Sequence, residues 1–224
     1  MRQIYLLRKK KRIKKKQSQK LSLKERLAQQ TIQKQLHILK LREYLVLVGF
    51  TLGAAALRAP MQVVPSAEPI TFFAVLSGWL FGKKKGFLVG AGSLYASNFL
   101  VFGGQGIWTV FQALGFGIAG FLGGFLTKKS KVWNVVLITI LGTILFELIV
   151  NIGSIFMFPW GIFSLFITAL PFTMIHLVSN TLFAFLLPKT KKVVDEKGEF
   201  NQKEVCRDLL KKIEDIKNIK VMKK

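Results

Sequence analysis

Charge and hydrophobicity are segregated along this chain of 224 residues, and that segregation limits the folds open to it. The first 43 residues carry 15 basic and 2 acidic side chains, and the last 37 carry 12 and 7. The 144 residues between them carry only 7 and 2, in a chain that is 51% hydrophobic. Soluble basic domains spread charge over their own surface, and disordered chains lack long apolar runs. The pattern excludes both classes and indicates an integral membrane protein with basic arms.

Six apolar segments in the central region predict membrane-spanning helices. A helix needs about 20 apolar residues to cross the hydrocarbon layer of a bilayer. The segments are 44–59, 69–82, 86–103, 109–127, 132–159 and 161–187. The second segment is short, and a re-entrant segment is the alternative for it. We therefore predict an all-α integral membrane protein with six transmembrane helices.

Two lysine clusters set the predicted direction of these helices. Lys83–Lys85 separates the second and third segments, and residues 128–131 separate the fourth and fifth with three lysines. The other three connections contain no Lys or Arg between the helix ends. Basic connections stay on the cytoplasmic side of a membrane. Six crossings place both clusters and both termini there, as expected for a multi-pass protein of the cell membrane.

The two arms are predicted to form amphipathic helices beside the membrane. In the arm formed by residues 1–43, eight of the nine residues from 8 to 16 are basic. This density favours binding to anionic lipid, not to nucleic acid, when the arm lies next to a bilayer. Ser22 and Glu25 form a capping-box pattern, which predicts a helix that begins near Leu23.

The tail, residues 188–224, carries a second amphipathic pattern. Its apolar positions share one helical face, with Asn201 and Glu204 as a possible cap. They are Val205, Leu209, Ile213 and Ile216. The face is expected to lie on the bilayer or on the protein's own helices, and docking on a cytoplasmic partner is the alternative.

Polar residues within the apolar segments mark a candidate internal site. Glu147 is followed four residues later by Asn151, and both occupy one stripe of the fifth segment. His176 lies near the middle of the sixth segment, with Thr173 and Asn180 on the same face. Ionisable groups are costly inside a bilayer and usually have a function or a partner there. A hydrogen bond between Glu147 and His176 would ease the burial of both, so both structural and ligand-binding roles remain open.

The connections on the predicted outer side could form the roof of a pocket. The first contains several prolines and Glu68, the second reads Gly-Gln-Gly-Ile-Trp-Thr around Gln105 and Trp108, and the third is Pro159–Trp160. Gln112 lies one turn into the next segment. Tryptophan offers a flat apolar face with one donor, which suits a partly planar solute. The alternative is an aromatic belt at the membrane interface.

An enzyme is not expected from these residues. The single cysteine, Cys206, permits neither an internal disulfide nor a cysteine-based metal site. There are only two histidines, one of them in the basic arm, so neither a catalytic triad nor a metal site is predicted. No Walker-type phosphate loop occurs, and therefore any ATP hydrolysis must come from another subunit. We expect neither a cofactor nor a metal ion.

Between residues 46 and 187 the sequence resembles the substrate-binding S components of energy-coupling factor (ECF) transporters. The resemblance is carried mainly by residues 78–124. There a short apolar segment and a basic turn precede Gly-Phe-Leu-Val-Gly-Ala, a Ser-Asn pair and Gly-Gln-Gly-x-Trp-Thr-x-x-Gln-x-x-Gly. The prolines at 60, 65 and 69 are also similar to the first outer connection of that family.

This resemblance implies a six-helix protein that binds a vitamin or related micronutrient in an outward-facing cavity. It also implies docking on a transmembrane T component that is driven by two ABC ATPases. The family docks through small residues on the first helix, which are matched here by Ala55 and Ala59, with Gly49 and Gly53 as the alternative pair. The predicted solute contacts are Glu68, Gln105, Trp108, Gln112, Glu147, Asn151 and His176. The long basic arm and the tail depart from the family pattern.

The sequence thus favours a solute-binding subunit for micronutrient uptake. Two alternatives stay open, namely a stand-alone secondary carrier and a membrane organiser that presents its basic arm to the inner leaflet. The residue types do not identify the solute.

Overall fold

The computed structural model describes residues 23–157 and 162–222, with side chains described as far as residue 215 except for Ile162. These residues form helices and no strand, which confirms the predicted all-α class for this part of the chain. The helices are α1 Leu23–Met61, α2 Ile70–Phe81, α3 Lys83–Ser97, α4 Trp108–Gly123, α5 Val132–Ile155, α6 Ile162–Gly198 and α7 Asn201–Met222. The basic cluster at 8–16, Ser22, the Pro159–Trp160 turn and the side chain of Ile216 lie outside the described residues.

The chain divides into two compact units, which we call the arm unit and the core unit. The arm unit joins the start of α1, up to Arg42, to the segment from Gly198 that contains α7. Within it, Arg42 pairs with Glu199, and Gln35 Nε2 lies 3.5 Å from Gln202 Oε1. The sequence analysis predicted the arm and the tail as two separate segments. In the structure they belong to one compact unit.

The core unit, Glu43–Lys197, contains the rest of α1 and helices α2 to α6. Each of the six predicted segments corresponds to one of these helices. The helices fall into two groups by length. Of the described helices, α1, α5 and α6 are long and apolar enough to cross a membrane. Helices α2, α3 and α4 have only 12, 15 and 16 residues. The coarse conclusion, a helical protein with membrane-spanning character, follows from the three long helices.

The long helices of the core unit expose apolar side chains and bury polar ones. The outward stripe of α5 comprises Leu137, Leu141, Ile144, Leu148 and Ile152, and that of α6 comprises Phe163, Ile167, Leu170, Met174, Val178 and Leu182. Their inner faces carry Thr139, Thr143 and Asn151 on α5, and His176 and Asn180 on α6. Continuous exposed apolar surface of this extent is typical of contact with lipid. The polar inner faces are thereby directed towards one another.

Glycines allow α2, α3 and α4 to pack with almost touching backbones. A Cβ atom added at Gly120 of α4 would lie 2.1 Å from the carbonyl oxygen of Gly86 in α3. One added at Gly90 would lie 2.2 Å from the carbonyl oxygen of Phe116. No side chain beyond hydrogen fits at these contacts, so the small-residue spacing of α3 and α4 serves helix packing.

Two backbone features shape the core unit. Gly82 separates α2 from α3 with φ of +95°, a conformation that glycine adopts without strain, and α3 begins at the next residue. The lysine cluster therefore forms the first turn of a helix, where the sequence predicted a connection. Helix α6 contains Pro171, which has no N–H, so the carbonyl of Ile167 lacks its usual helical partner.

Candidate functional site

A cavity of about 400 Å³ lies within the core unit. Its charged and polar lining comes from α1, from the connection between α1 and α2, and from helices α4, α5 and α6. The lining residues are Arg58, Gln62, Val64, Pro65, Ser66, Ala67, Glu68, Gln112, Phe116, Phe146, Glu147, Val150, Asn151, Ala169, Phe172 and His176. A volume of this size is in the lower part of the range for small-molecule sites.

Glu68 is held in the cavity wall by the start of α2. Its Oε2 accepts a hydrogen bond from the backbone N–H of Ile70 at 2.5 Å, and its Oε1 accepts one from Thr71 Oγ1 at 2.8 Å. The carboxylate thus satisfies free donors at a helix N-terminus, where negative charge is also favourable. The residue is 6% exposed, so this arrangement fixes a negative charge in a buried place.

His176 bridges two carboxylates from distant parts of the chain. Its Nδ1 lies 2.6 Å from Glu147 Oε1, and its Nε2 lies 3.1 Å from Glu68 Oε1. The second oxygen of Glu147 accepts a hydrogen bond from Thr173 Oγ1 at 3.0 Å. The predicted bond between α5 and α6 is therefore present in the structure. The bond to Glu68 was not predicted, because nothing in the local pattern brings the start of α2 to the middle of α6.

The bridge also decides what the imidazole can do. Both ring nitrogens of His176 face carboxylate oxygens, so neither is free to bind a metal ion. Among the described residues, no group of three or more metal-ligating side chains is arranged to hold one. The ring of Phe146 stands at 89° to the imidazole with 5.1 Å between centroids, and it keeps the ring in this orientation.

Arg58 supplies the positive charge of the cavity. One guanidinium nitrogen donates to Ser97 Oγ and to Asn98 Oδ1, both at 2.7 Å. Asn98 in turn donates to Thr109 Oγ1 at 3.0 Å. The network ties α1 to the end of α3 and the start of α4. Sequence reasoning did not assign Arg58 to the site, although an arginine at the end of an apolar segment is the kind of signal that could have done so.

Three amides also line the cavity, and two of them, Gln112 and Asn151, were predicted as solute contacts. Asn151 is 9% exposed, and Gln112 is half-buried. Both side chains line the cavity, where their amides can hydrogen-bond to a bound molecule.

The structure brings together five of the seven predicted solute contacts and separates two. Glu68, Gln112, Glu147, Asn151 and His176 line one cavity. Gln105 and Trp108 are not among its lining residues: Gln105 donates to the carbonyl of Tyr95, and Trp108 folds over Gly106. Three phenylalanines that the sequence analysis did not select, at positions 116, 146 and 172, supply the aromatic surface instead. Phenylalanine is too common in apolar segments for its site role to be read from the sequence.

The two small-residue pairs on α1 differ in accessibility within the core unit. Gly49 and Gly53 have no atom within 4 Å of an added Cβ. Ala55 is only 2% exposed, and Ala59 is half-buried. Of the two predicted docking pairs, the glycine pair is the one that the structure leaves open.

Most of the chain matches a protein-family model. A family model described as a family of unknown function (DUF6580) matches residues 39–200, which include every residue of the cavity. No curated protein and no solved structure matches the chain.

Proposed function

The chain belongs to the DUF6580 family, whose function is unknown, and from this starting point we propose that it is a solute-binding subunit of an ECF-type transporter. It would capture a vitamin-like micronutrient at the cavity and deliver it inward with the help of partner subunits. The resemblance of residues 46–187 to S components motivates this proposal, and the cavity supplies its site.

The proposed topology has six membrane crossings and both termini in the cytoplasm of a multi-pass protein of the cell membrane. The short helices α2 and α4 are apolar. Lys83–Lys85 begin α3, and the lysines of residues 128–131 lie between α4 and α5, so both clusters would lie on the cytoplasmic side in this topology. Glycine contacts at the α2–α3–α4 interface bury the backbones of the short helices against one another. Short crossings of this kind are compatible with local thinning of the bilayer.

The observation that carries the proposal is the concentration of polar groups in a cavity of a largely apolar unit. The cavity holds Glu68, Glu147, Arg58 and His176, although the 144 central residues contain only two acidic side chains in all. Both of those acidic groups therefore lie in one place. Burying charged groups is costly, so charged groups inside a membrane protein usually mark a functional site. We infer that these groups bind the solute.

The proposed partners follow from the same assignment. A T component would dock on the open face of α1 around Gly49 and Gly53, and two ABC ATPases would supply the energy. The basic arm, residues 1–43, would bind anionic lipid of the inner leaflet. The proposal requires no cofactor, no metal ion and no nucleic acid, and the subunit itself would not be an enzyme.

Two neighbouring residues offer a matched test of the cavity. Asn151 faces the cavity, whereas Ile152 is 49% exposed on the outer stripe of α5. Asn151→Phe fills the cavity, and Ile152→Phe adds the same ring on the outside. We expect the affinity of the first variant for the solute to be at least about tenfold lower, and that of the second variant to be unchanged. Native mass spectrometry of the detergent-purified proteins would measure the bound solute.

Uptake experiments separate the proposed function from its alternatives. Cells that contain the ATPase module should accumulate the solute in an ATP-dependent manner, and partner chains should co-purify with the protein. Transport by the isolated protein in proteoliposomes would identify a stand-alone carrier instead. Absence of any bound solute, together with liposome binding that is lost on deletion of residues 1–40, would identify a membrane organiser.

A further inference from the structure

Resting on the proposed function, we propose that the cavity takes a cationic aromatic solute whose positive charge replaces a proton held between Glu68, His176 and Glu147. Three features support this class of solute: the number of protons that His176 shares with the two carboxylates, the net charge of the cavity, and the aromatic residues in its lining.

The proton count comes from the two hydrogen bonds of one imidazole. A neutral imidazole has one N–H donor and one acceptor, so it can donate to only one of two carboxylates. The contacts of His176 with Glu147 at 2.6 Å and with Glu68 at 3.1 Å therefore need two protons. The second proton makes the ring an imidazolium between two carboxylates, so the three groups together carry one negative charge.

The cavity has two carboxylates, Glu68 and Glu147, and only one permanently charged cation, Arg58, so a cationic solute can enter as the extra proton of His176 leaves. Of the described lining residues, the ionisable ones are Arg58 from α1, Glu68 before α2, Glu147 from α5 and His176 from α6. Arg58 carries one positive charge, so the cavity with two protons is neutral. Entry of a protonated amine and release of one proton to solvent leave that balance unchanged. An anionic solute would instead add an uncompensated charge to a buried site, which is costly.

The carboxylates differ in how well they can meet the cation. Glu68 is held by the N–H groups at the start of α2, and its side chain is 8% exposed. Glu147 has a side chain that is 15% exposed, and among the described residues its hydrogen-bond partners are Thr173 and His176. Glu147 is therefore the group that we expect to contact the bound cation. Glu68 would retain its place in the helix cap.

The rest of the lining suits an aromatic body. Phe116 and Phe146 are buried and pack on one another with ring centroids 4.1 Å apart, and Phe172 is the most exposed of the three phenylalanines that line the cavity. Aromatic faces attract both planar rings and cations. The amides of Gln112 and Asn151 line the cavity and can hydrogen-bond to polar groups on the ring. A cavity of about 400 Å³ accommodates a solute of one or two rings.

Three probes with the same ring and different charge test this inference. Phenethylamine is a cation, phenethyl alcohol is neutral, and 3-phenylpropionate is an anion near neutral pH. With the full-length protein in detergent at about pH 8, we expect the amine to bind at least about tenfold more tightly than the other two. Its affinity should fall by up to about tenfold per unit as the pH is lowered towards 6, because bound protons compete with the cation. Calorimetry in buffers of different ionisation enthalpy should detect the release of about one proton.

Variants locate the effect. Glu147→Gln removes the charge with little change of shape, and it should abolish both the preference for the amine and the proton release. Glu196→Gln is the matched control, because this glutamate has a side chain that is 61% exposed on α6. The control should bind like the unchanged protein.

The inference is overturned if the neutral or anionic probe binds as well as the amine, or if none of the three binds. It is equally overturned if amine binding releases no proton or survives Glu147→Gln. These outcomes leave the proposed function intact as long as a solute co-purifies and ATP-dependent uptake is observed. Loss of those two readouts would instead contradict the proposed function itself.

Discussion

Glu68 combines a structural and a chemical role in one side chain. Its carboxylate satisfies backbone donors at the start of α2 and also accepts from His176 on α6. The connection before α2 is rich in proline and irregular, so the cap gives it a defined end. A charge placed by a helix terminus is better fixed than one on a free loop, and a rigid charge favours selective binding.

Truncation of Glu68 should therefore destabilise the fold. Glu68→Ala removes the cap and leaves a nitrogen of His176 without a partner, and we expect a loss on the order of 2 kcal/mol in the free energy of unfolding. Glu68→Gln keeps one acceptor oxygen, so its free energy of unfolding should fall clearly less than that of Glu68→Ala. Thermal unfolding in detergent would measure both. Gln105→Ala, at an exposed side chain, serves as control, and an equal loss there would contradict this role of Glu68.

The polar half of the site could be predicted from the sequence, and the aromatic half could not. Glu147, Asn151 and His176 are conspicuous because polar groups are rare in apolar segments. Gln105 and Trp108 are also conspicuous, but a short motif does not show on which side of a loop its residues lie. The link from Glu68 to His176 joins positions 108 residues apart in the chain, and only the tertiary packing creates it.

At the level of helices, close packing of α3 and α4 depends on the absence of side chains. The carbonyl oxygen of Gly86 occupies the space that a methyl group at Gly120 would need. Interiors packed in this way respond to one added carbon with backbone shifts. The two helices therefore pack closely together, and α4 contributes Gln112 and Phe116 to the cavity.

A matched pair of glycine substitutions tests this packing. Gly120→Ala should lower the free energy of unfolding by about 1–3 kcal/mol, because the added methyl group overlaps a backbone oxygen. Gly49→Ala has open space around it and should leave stability unchanged or slightly higher, since alanine favours helix. Circular dichroism during heating in detergent would report both. Equal effects of the two substitutions would contradict the packing argument.

Helix positions were predictable from apolar segments, whereas several helix ends were not. The sequence treated Lys83–Lys85 as a connection because three lysines end an apolar run. Gly82 alone provides the break, and the lysines continue as helix. Lys85 pairs with Glu43 on α1, a contact between distant residues that a local pattern cannot show.

For the molecule as a whole, the orientation in the membrane is the property that other conclusions depend on. In a Cys206→Ala background, single cysteines can be introduced by Gln105→Cys and Lys129→Cys, both at exposed positions of the core unit. A membrane-impermeant maleimide on intact cells should label the first and not the second, because the lysine cluster stays inside. Permeabilised cells should show labelling of both. Labelling at position 129 alone would contradict the proposed topology.

The proline within α6 matters for how a solute would reach the cavity under the proposed function. Pro171 lies between Ala169 and Phe172, which both line the cavity. Because proline has no N–H, one backbone hydrogen bond of the helix is missing at that point. A helix bends most easily where a backbone hydrogen bond is missing, so α6 is expected to be most flexible near Pro171. We expect the segment before Pro171 to move more easily than the rest of α6, while His176, five residues further along, keeps its contacts with both carboxylates. Under the proposed function, entry of the solute and binding of the solute would then depend on different parts of the same helix.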